Sequence, residues 1–260
     1  MMKGLLEITN LSGGSGGERY QNPDPRMPQH PARVLLVGES GSGKTNLLVN
    51  MLSKGWMVWD RLILCLKNPD QPVWENLIDK VREGVEDINM DLEEDSGSKG
   101  QETLGAKHSC LTTLDPEYVC TLVEDLNNIP SIESLDGSIQ NDIVFDDFVS
   151  EPKHVQLAIT SYWVRSRHKN VSCYYLSQTF YTTPKDIRLN STYFILFGGM
   201  PITEIDRVYK DVSAGGVTKE QFRRYYEIAT SEKHGFFFID KNNLDVKQRY
   251  RAGFDGIFSD

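Results

Sequence analysis

The sequence predicts an α/β fold with a mostly parallel central sheet, helices on its faces and a pair of strands at the C-terminal end. Short, continuous apolar runs such as residues 33–37 are typical of parallel strands that are buried on both faces. These runs alternate with amphipathic segments of helical period, which is the pattern of an α/β sandwich. With 39% hydrophobic and 25% charged residues in 260, the chain can bury a sizeable core.

Seven runs are predicted to be strands because apolar, β-branched and aromatic residues dominate them. The first five are expected in the parallel sheet and the last two form the terminal pair. Asp142 confines the third apolar run to three residues. In chain order the runs cover residues 33–37, 62–66, 143–145, 171–176, 193–197, 236–239 and 249–254.

Five helices and one helical turn are expected between these strands. Pro72 is favoured in a first helical turn, and Thr218 suits an N-cap. The helices are predicted at residues 44–53, 72–85, 116–126, 155–167 and 218–228, and the turn at residues 185–189.

Composition divides the chain into an N-terminal arm and one domain. Residues 1–30 are rich in Gly, Pro and Ser and are expected to form a flexible arm, while residues 31–260 are expected to form a single domain. Residues 87–110 are acidic and Gly/Ser-rich without periodicity, which indicates a partly disordered surface insertion. The four cysteines share no C-x-x-C spacing, so neither structural zinc nor a disulfide framework is expected.

The formal net charge of the chain is −9. A protein that coats DNA by neutralising many phosphates is normally basic, so bulk charge gives no support to such a role. A DNA-handling ring stays compatible with this charge, because only a few cations per subunit need to contact the strand. No apolar run approaches the ~20 residues that cross a bilayer, and the first residues do not resemble a signal peptide, so we expect no membrane span and no secretion.

Residues 38–45 match the phosphate-binding pattern G-x-x-x-x-G-K-[ST] in full, between a predicted buried strand and a predicted helix. Its glycines let backbone N–H groups turn towards phosphates, and the N-terminus of the following helix adds its dipole. Lys44 is predicted to contact the β- and γ-phosphates of ATP, and the Thr45 hydroxyl to bind Mg²⁺. The predicted nucleotide-binding set is Gly38, Glu39, Ser40, Gly41, Ser42, Gly43, Lys44, Thr45 and Asn46.

Two adjacent carboxylates, Asp146 and Asp147, follow the predicted strand at residues 143–145. Asp146 is predicted to bind Mg²⁺, directly or through water, and Asp147 to act as the base that orients an attacking water. A solvated strand end would also explain the pair. Their position about a hundred residues after the phosphate-binding loop favours the functional interpretation.

Two further segments carry polar groups that suit a phosphate site. Arg165 and Arg167 end a predicted helix, where a guanidinium could reach the γ-phosphate bound by an adjacent subunit or simply complement the helix dipole. Gln178 follows the strand at residues 171–176, at the sheet edge where α/β proteins bind ligands. It could sense the γ-phosphate or orient water, and a strand-end hydrogen bond is the alternative.

Taken together, residues 38–45, 143–147 and 165–178 resemble the genome-packaging ATPases of double-stranded DNA viruses, in the poxvirus-type branch of the FtsK–HerA superfamily. The likeness covers about residues 33–254, and the block Arg-Ser-Arg-His…Leu-Ser-Gln at 165–178 is its discriminating part. It implies a RecA/FtsK-like P-loop NTPase sandwich. It also implies a homo-oligomeric ring that couples ATP hydrolysis to moving double-stranded DNA into a preformed capsid.

The same resemblance implies roles, partners and a location. Under this resemblance Lys44 and Thr45 hold phosphate and Mg²⁺, and Asp146 holds the metal. Asp147 holds the attacking water, at a position where many superfamily members carry Glu. Gln178 matches the polar sensor of the family. Either Arg165 or Arg167 supplies the arginine that acts on the nucleotide of an adjacent subunit, and Arg165 is preferred. The implied partners are double-stranded DNA, bound without sequence specificity, and a viral capsid or portal protein. The implied location is the viral assembly site in the host cytoplasm or the virion.

Two other functions fit the sequence. The chain could be another P-loop NTPase, although a GTPase is disfavoured because no N-K-x-D base-reading motif is present. It could also be a nucleotide-dependent assembly factor that binds ATP to stabilise an oligomer or to dock on a capsid, without DNA translocation. Stimulation of hydrolysis by DNA separates the packaging motor from both.

Overall fold

One sheet contains the nine strands found in the described residues, 22–94, 119–123, 125–212 and 216–258 of a computed structural model. The strands are β1 (Arg33–Val37), β2 (Arg61–Leu66), β3 (Cys120–Val123), β4 (Asn141–Asp146), β5 (Val171–Ser177), β6 (Tyr193–Phe197), β7 (Phe236–Asp240), β8 (Tyr250–Ala252) and β9 (Gly256–Ile257). Their order across the sheet is β3-β2-β4-β5-β1-β6-β7-β8-β9.

The sheet is parallel from β3 to β6, and β7, β8 and β9 continue it in antiparallel pairing. The predicted fold class is therefore confirmed, and the C-terminal pair gains the two-residue strand β9. Strand β1 shows why its sequence is continuously apolar: Val34 and Leu36 pack into the core on one face, and Leu35 and Val37 into the core on the other.

Helices cover both faces of the sheet. They are α1 (Lys44–Ser53), α2 (Pro72–Glu94), α3 (Lys153–Arg165), α4 (Lys185–Asn190), α5 (Ile202–Asp211), α6 (Lys219–Ala229) and α7 (Val246–Arg249). Buried side chains of α1 and α2 belong to one core, and those of α3 to α6 belong to the other. Helix α6 begins with the predicted Thr218 cap, whose hydroxyl accepts the Gln221 N–H while the Gln221 side chain accepts the Thr218 N–H.

Two of the predicted helices differ from the structure, one in type and one in length. The helix predicted at residues 116–126 is replaced at Cys120–Val123 by β3, whose backbone pairs with β2 at the edge of the sheet and whose β-branched Thr121 and Val123 suit a strand. Helix α2 does not end near Val85 but continues to Glu94, so the first part of the predicted insertion is helical. Residues 1–21 of the predicted arm and residues 95–118 lie outside the described residues.

Three of the cysteines, Cys65, Cys120 and Cys173, are buried free thiols, and Cys110 lies outside the described residues. Burial raises the pKa of the Cys120 thiol to about 12, so it stays protonated near neutral pH. Among the described helices, none is both long enough and apolar enough to span a bilayer.

The charge that was predicted to shorten β4 is instead buried inside that strand. Asp142 is fully buried; its Oδ2 accepts the Tyr174 hydroxyl at 2.7 Å and its Oδ1 accepts the Gln140 side-chain amide at 2.8 Å. Burial, with a smaller contribution from the Asp60 charge, raises the pKa of Asp142 to about 7. Because both oxygens are hydrogen-bonded, the strand runs through Asp142 without leaving an unpaired acceptor in the core.

We predict that Asp142→Asn stabilises the protein more at pH 8 than at pH 5. Between the usual carboxyl pKa of 3.8 and its folded value of about 7, the native state holds the extra proton, so stability falls as pH rises. Asp142→Asn does not lose stability in this way. In the wild type the free energy of unfolding falls by on the order of 1 kcal/mol per pH unit between these two pKa values. Urea unfolding of both proteins at each pH measures the difference.

The comparison with wild type at each pH is needed because half-buried His30, beside Ser172, has its pKa lowered by desolvation to about 4 and acts in the opposite direction. Asp206→Asn is the control, since ion pairing holds the Asp206 pKa at about 2, below the tested range. A variant-minus-wild-type difference that does not change with pH would contradict the assignment of a raised pKa to Asp142.

Candidate functional site

The carboxyl ends of four neighbouring strands, in the order β2-β4-β5-β1, meet at one edge of the sheet. Each of these strands is followed by polar residues, and together they enclose a cleft of about 270 Å³. This is the edge at which parallel α/β sheets bind ligands. The cleft is lined by Ser40, Gly41, Lys44, Thr45, Asn68, Gln71, Asp146, Asp147, Leu176, Ser177 and Gln178.

The loop between β1 and α1 wraps tightly because two of its glycines allow it. Gly43, at the N-cap of α1, has φ 107°, a left-handed conformation that strains other residues. A Cβ atom on Gly38 would lie 2.7 Å from the Cβ of Phe197 on β6, closer than packed carbons approach. The loop therefore turns directly from the strand into the helix and presents the N-terminus of α1 to the cleft.

Lys44 is the cation at the centre of this cleft. It is buried, and its Nζ donates to the carbonyl oxygens of Gly38 at 2.6 Å and Glu39 at 2.9 Å. Burial lowers the pKa of Lys44, while the charges of Asp146 and Asp147 oppose that change. The ammonium group is thus held by the loop itself, at a position where phosphate oxygens can replace the carbonyl acceptors.

Two carboxylates face Lys44 from the end of β4. The indole N–H of Trp74 donates to Oδ2 of Asp146 at 3.1 Å. Burial raises the pKa of Asp146; the Trp74 hydrogen bond lowers it, the Asp147 charge raises it and the Lys44 charge lowers it. Asp147 adopts a left-handed φ of 65°, which aspartate tolerates, and its Oδ2 lies 3.4 Å from Nε2 of Gln178.

The donor atoms at this position fit Mg²⁺. Thr45 contributes a hydroxyl and Asp146 a carboxylate, both hard oxygen ligands of the kind that Mg²⁺ prefers. The described residues contain no cluster of three or more His, Cys, Asp or Glu side chains that could hold a metal. Mg²⁺ is commonly held in proteins by one or two carboxylates together with phosphate oxygens and water.

Five residues of the predicted nucleotide-binding set do not line the cleft, namely Gly38, Gly43, Glu39, Ser42 and Asn46. The Glu39 carboxylate lies close to Gly199, 3.4 Å from the position of a Cβ there. The Ser42 carbonyl oxygen is 3.0 Å from Nδ1 of His234, and Asn46 is exposed in the first turn of α1. Their backbone shapes the loop, while the side chains that face the cleft are those of Ser40, Lys44 and Thr45.

The two arginines lie at the opposite edge of the sheet, before the first residue of β5. A seven-residue strand at ~3.3 Å per residue separates them from the cleft by roughly 20 Å. Arg165 forms an ion pair with Glu133, both residues being largely exposed. Within the described part of the chain, exposed Arg167 makes neither a hydrogen bond nor an ion pair. The structure therefore does not bring either arginine to the cleft of its own chain.

Several residues at or near the cleft were not predicted. Asn68 and Gln71 follow β2, just as Gln178 follows β5. Polar residues that follow a parallel strand commonly face the ligand-binding edge, so both residues could have been predicted from the sequence. A carboxylate oxygen of Glu204, on α5, accepts the Phe180 N–H at 3.2 Å and so ties α5 to the loop after Gln178. No sequence signal indicates that contact.

Comparisons with known proteins give likenesses of structure but none of sequence. No protein-family model matches the chain, and no curated protein is significantly similar to it in sequence. The genome packaging NTPase B204 of Sulfolobus turreted icosahedral virus 2, in complex with AMP, is 14% identical over 85% of this chain and 96% of that chain, with a TM-score of 0.48. The DNA-packaging ATPase B204 of Sulfolobus turreted icosahedral virus is 15% identical over 80% and 92%, with a TM-score of 0.49.

A third likeness is to a bacterial protein. The cytoplasmic domain of the type VII secretion ATPase EccC of Thermomonospora curvata is 11% identical over 82% of this chain and 25% of that chain, with a TM-score of 0.42. The side chains of the cleft, and not these likenesses, support a function for this chain.

We predict that Lys44→Ala weakens the binding of a fluorescent ATP analogue by roughly 30-fold, since a buried charged donor to phosphate is worth about 2 kcal/mol. Anisotropy titration measures the affinity. Lys241→Ala is the matched control: burial also lowers the pKa of Lys241 and its Nζ also donates to a backbone carbonyl, that of Leu189 at 2.9 Å, but it does not line the cleft. Equal loss of affinity in both variants would contradict a specific role for Lys44.

Proposed function

We propose that this chain is a Mg²⁺-dependent ATPase that moves double-stranded DNA into a preformed viral capsid, and that it belongs to the poxvirus-type branch of the FtsK–HerA superfamily. The observation that carries the ATPase role is the convergence of Lys44, Asp146, Asp147 and Gln178 in one cleft. The DNA-packaging role is supported by the motif resemblance in residues 38–45, 143–147 and 165–178. Under this proposal the chain acts with a capsid or portal protein, at the assembly site in the host cytoplasm or in the virion.

The side chains of the cleft divide the work of hydrolysis. Lys44 Nζ binds the β- and γ-phosphate oxygens and stabilises the charge that they carry. Asp147 and Gln178, whose side chains are 3.4 Å apart, contact the attacking water from the same side, the carboxylate as acceptor and the amide as donor. Mg²⁺, when bound by Thr45 and Asp146, neutralises phosphate charge. The left-handed backbone at Asp147 turns its carboxylate towards Gln178, so the two act as one pair.

The interface with a neighbouring subunit supplies the remaining cation in this proposal. Both arginines lie at the sheet edge away from their own cleft, which suits action on the nucleotide of the next subunit in a heterologous ring. Arg165 was the preferred candidate from the sequence, but its guanidinium is engaged by Glu133. Arg167 is exposed and makes no hydrogen bond or ion pair among the described residues. We therefore assign the trans role to Arg167.

Steady-state ATP hydrolysis with and without long double-stranded DNA, at low salt, tests the proposed function. We expect DNA to stimulate hydrolysis several-fold, and Asp147→Asn to bind nucleotide normally while losing turnover by about 10²–10⁴-fold, the usual contribution of a general base. A rate of hydrolysis that does not change when DNA is added would contradict the proposed motor function. Nucleotide-dependent assembly without turnover would instead identify an assembly factor.

Mixed oligomers test the arginine assignment. Arg167→Ala is expected to lower hydrolysis by about 10³-fold or more, whereas Arg165→Ala retains most of it. Mixing Arg167→Ala with Lys44→Ala should restore activity at about a quarter of the interfaces, because each intact site then meets an intact arginine only when its neighbour is the other variant. Failure of the mixture to exceed either variant alone would refute action in trans.

A further inference from the structure

The side chain that holds the metal-binding carboxylate in place lies on α2, a helix that carries no recognised motif. Trp74 is fully buried, and its indole N–H donates to Oδ2 of Asp146 at 3.1 Å. The other carboxylate oxygen, Oδ1, makes no hydrogen bond with another described residue. One oxygen of Asp146 is therefore fixed by the protein, and the second stays available at the edge of the cleft.

The strand register explains why Trp74 reaches this carboxylate. Leu66, the last residue of β2, pairs with Asp146, the last residue of β4. Only residues 67–71 connect β2 to α2, so the first turn of α2 has to lie over the ends of these two strands. Trp74 occupies that turn, and its ring is packed in the core formed with α1 and α2.

A second contact ties the same connection to the segment after β4. Lys67 Nζ lies 2.8 Å from Oε1 of Glu151 and 2.9 Å from the Ser150 hydroxyl. Residues 146–151 are thus attached to the β2–α2 connection at Lys67 and to the first turn of α2 at Trp74. The Trp74 ring has little freedom to move away from Asp146.

We propose that Trp74 is a positioning residue, which orients the Asp146 carboxylate so that Oδ1 faces the divalent cation of a bound nucleotide. The inference rests on the proposed function, because it concerns the carboxylate assigned to the metal there. A donor that fixes one oxygen of a ligating carboxylate typically changes metal affinity by about 10–100-fold. The indole ring supplies this donor without adding a charge to a cleft that already holds two carboxylates.

The first test measures Mn²⁺ affinity by electron paramagnetic resonance, using the full chain with a non-hydrolysable ATP analogue. Trp74→Phe keeps the ring but lacks the N–H, and we expect its Mn²⁺ dissociation constant to rise about tenfold. Trp163→Phe is the matched control, because it removes another buried indole N–H, which donates to Ser191 Oγ at 2.9 Å, from the core on the other face of the sheet. In an Asp146→Asn background, Trp74→Phe should have little further effect.

The second test uses the wild-type chain and does not depend on the folding of a variant. With ¹⁵N-labelled tryptophan, the Trp74 indole resonance should shift when Mg²⁺ joins the nucleotide complex, while the Trp163 resonance stays in place. An unchanged Mn²⁺ affinity in Trp74→Phe, or an unmoved Trp74 resonance, would overturn the inference. Both readouts measure binding, so they give an answer even if the chain hydrolyses nothing or ignores DNA, which would contradict only the proposed function.

Discussion

The parallel pairing of β2, β4, β5 and β1 is the constraint on which the site depends. In this register Leu66, Asp146, Leu176 and Leu36 stand level across the four strands. Parallel strands place their carboxyl ends at one edge, so four distant segments of the chain reach the same cleft through short connections. The site takes its geometry from a rigid sheet, and the loops need only carry side chains over a short distance.

The charges in the cleft complement a metal–nucleotide complex more closely than they complement either part alone. Lys44 is a cation whose burial lowers its pKa, and Asp146 is a carboxylate whose burial raises its pKa. Bound phosphate would give Lys44 a further anionic partner besides the two carboxylates. A divalent cation would relieve the repulsion between Asp146 and Asp147. Trp74 adds orientation without charge. These charges support the proposal that triphosphate and metal bind in the cleft together.

Parts of the fold could be predicted where burial leaves a clear mark on the sequence, as in β1 and β5, whose apolar runs reflect packing on both faces. Strand β3 could not be predicted, because its run of four residues is short and its position is fixed by pairing with β2. At the site, the motif in residues 38–45 predicted a phosphate-binding loop. Asn68 could also have been predicted, because it is a polar residue that directly follows the parallel strand β2. Trp74 could not be found from sequence, since its contact depends on where the first turn of α2 packs.

A structure of the chain with a non-hydrolysable ATP analogue and Mg²⁺ tests most directly whether the cleft is one composite site. The account predicts the γ-phosphate within hydrogen-bonding distance of Lys44 Nζ and of Gln178. It also predicts a metal between Thr45 and Asp146, with Oδ2 of Asp146 still bonded to Trp74. A triphosphate bound away from Lys44, or a metal bound without any contact to the Asp146 carboxylate or its water shell, would contradict it.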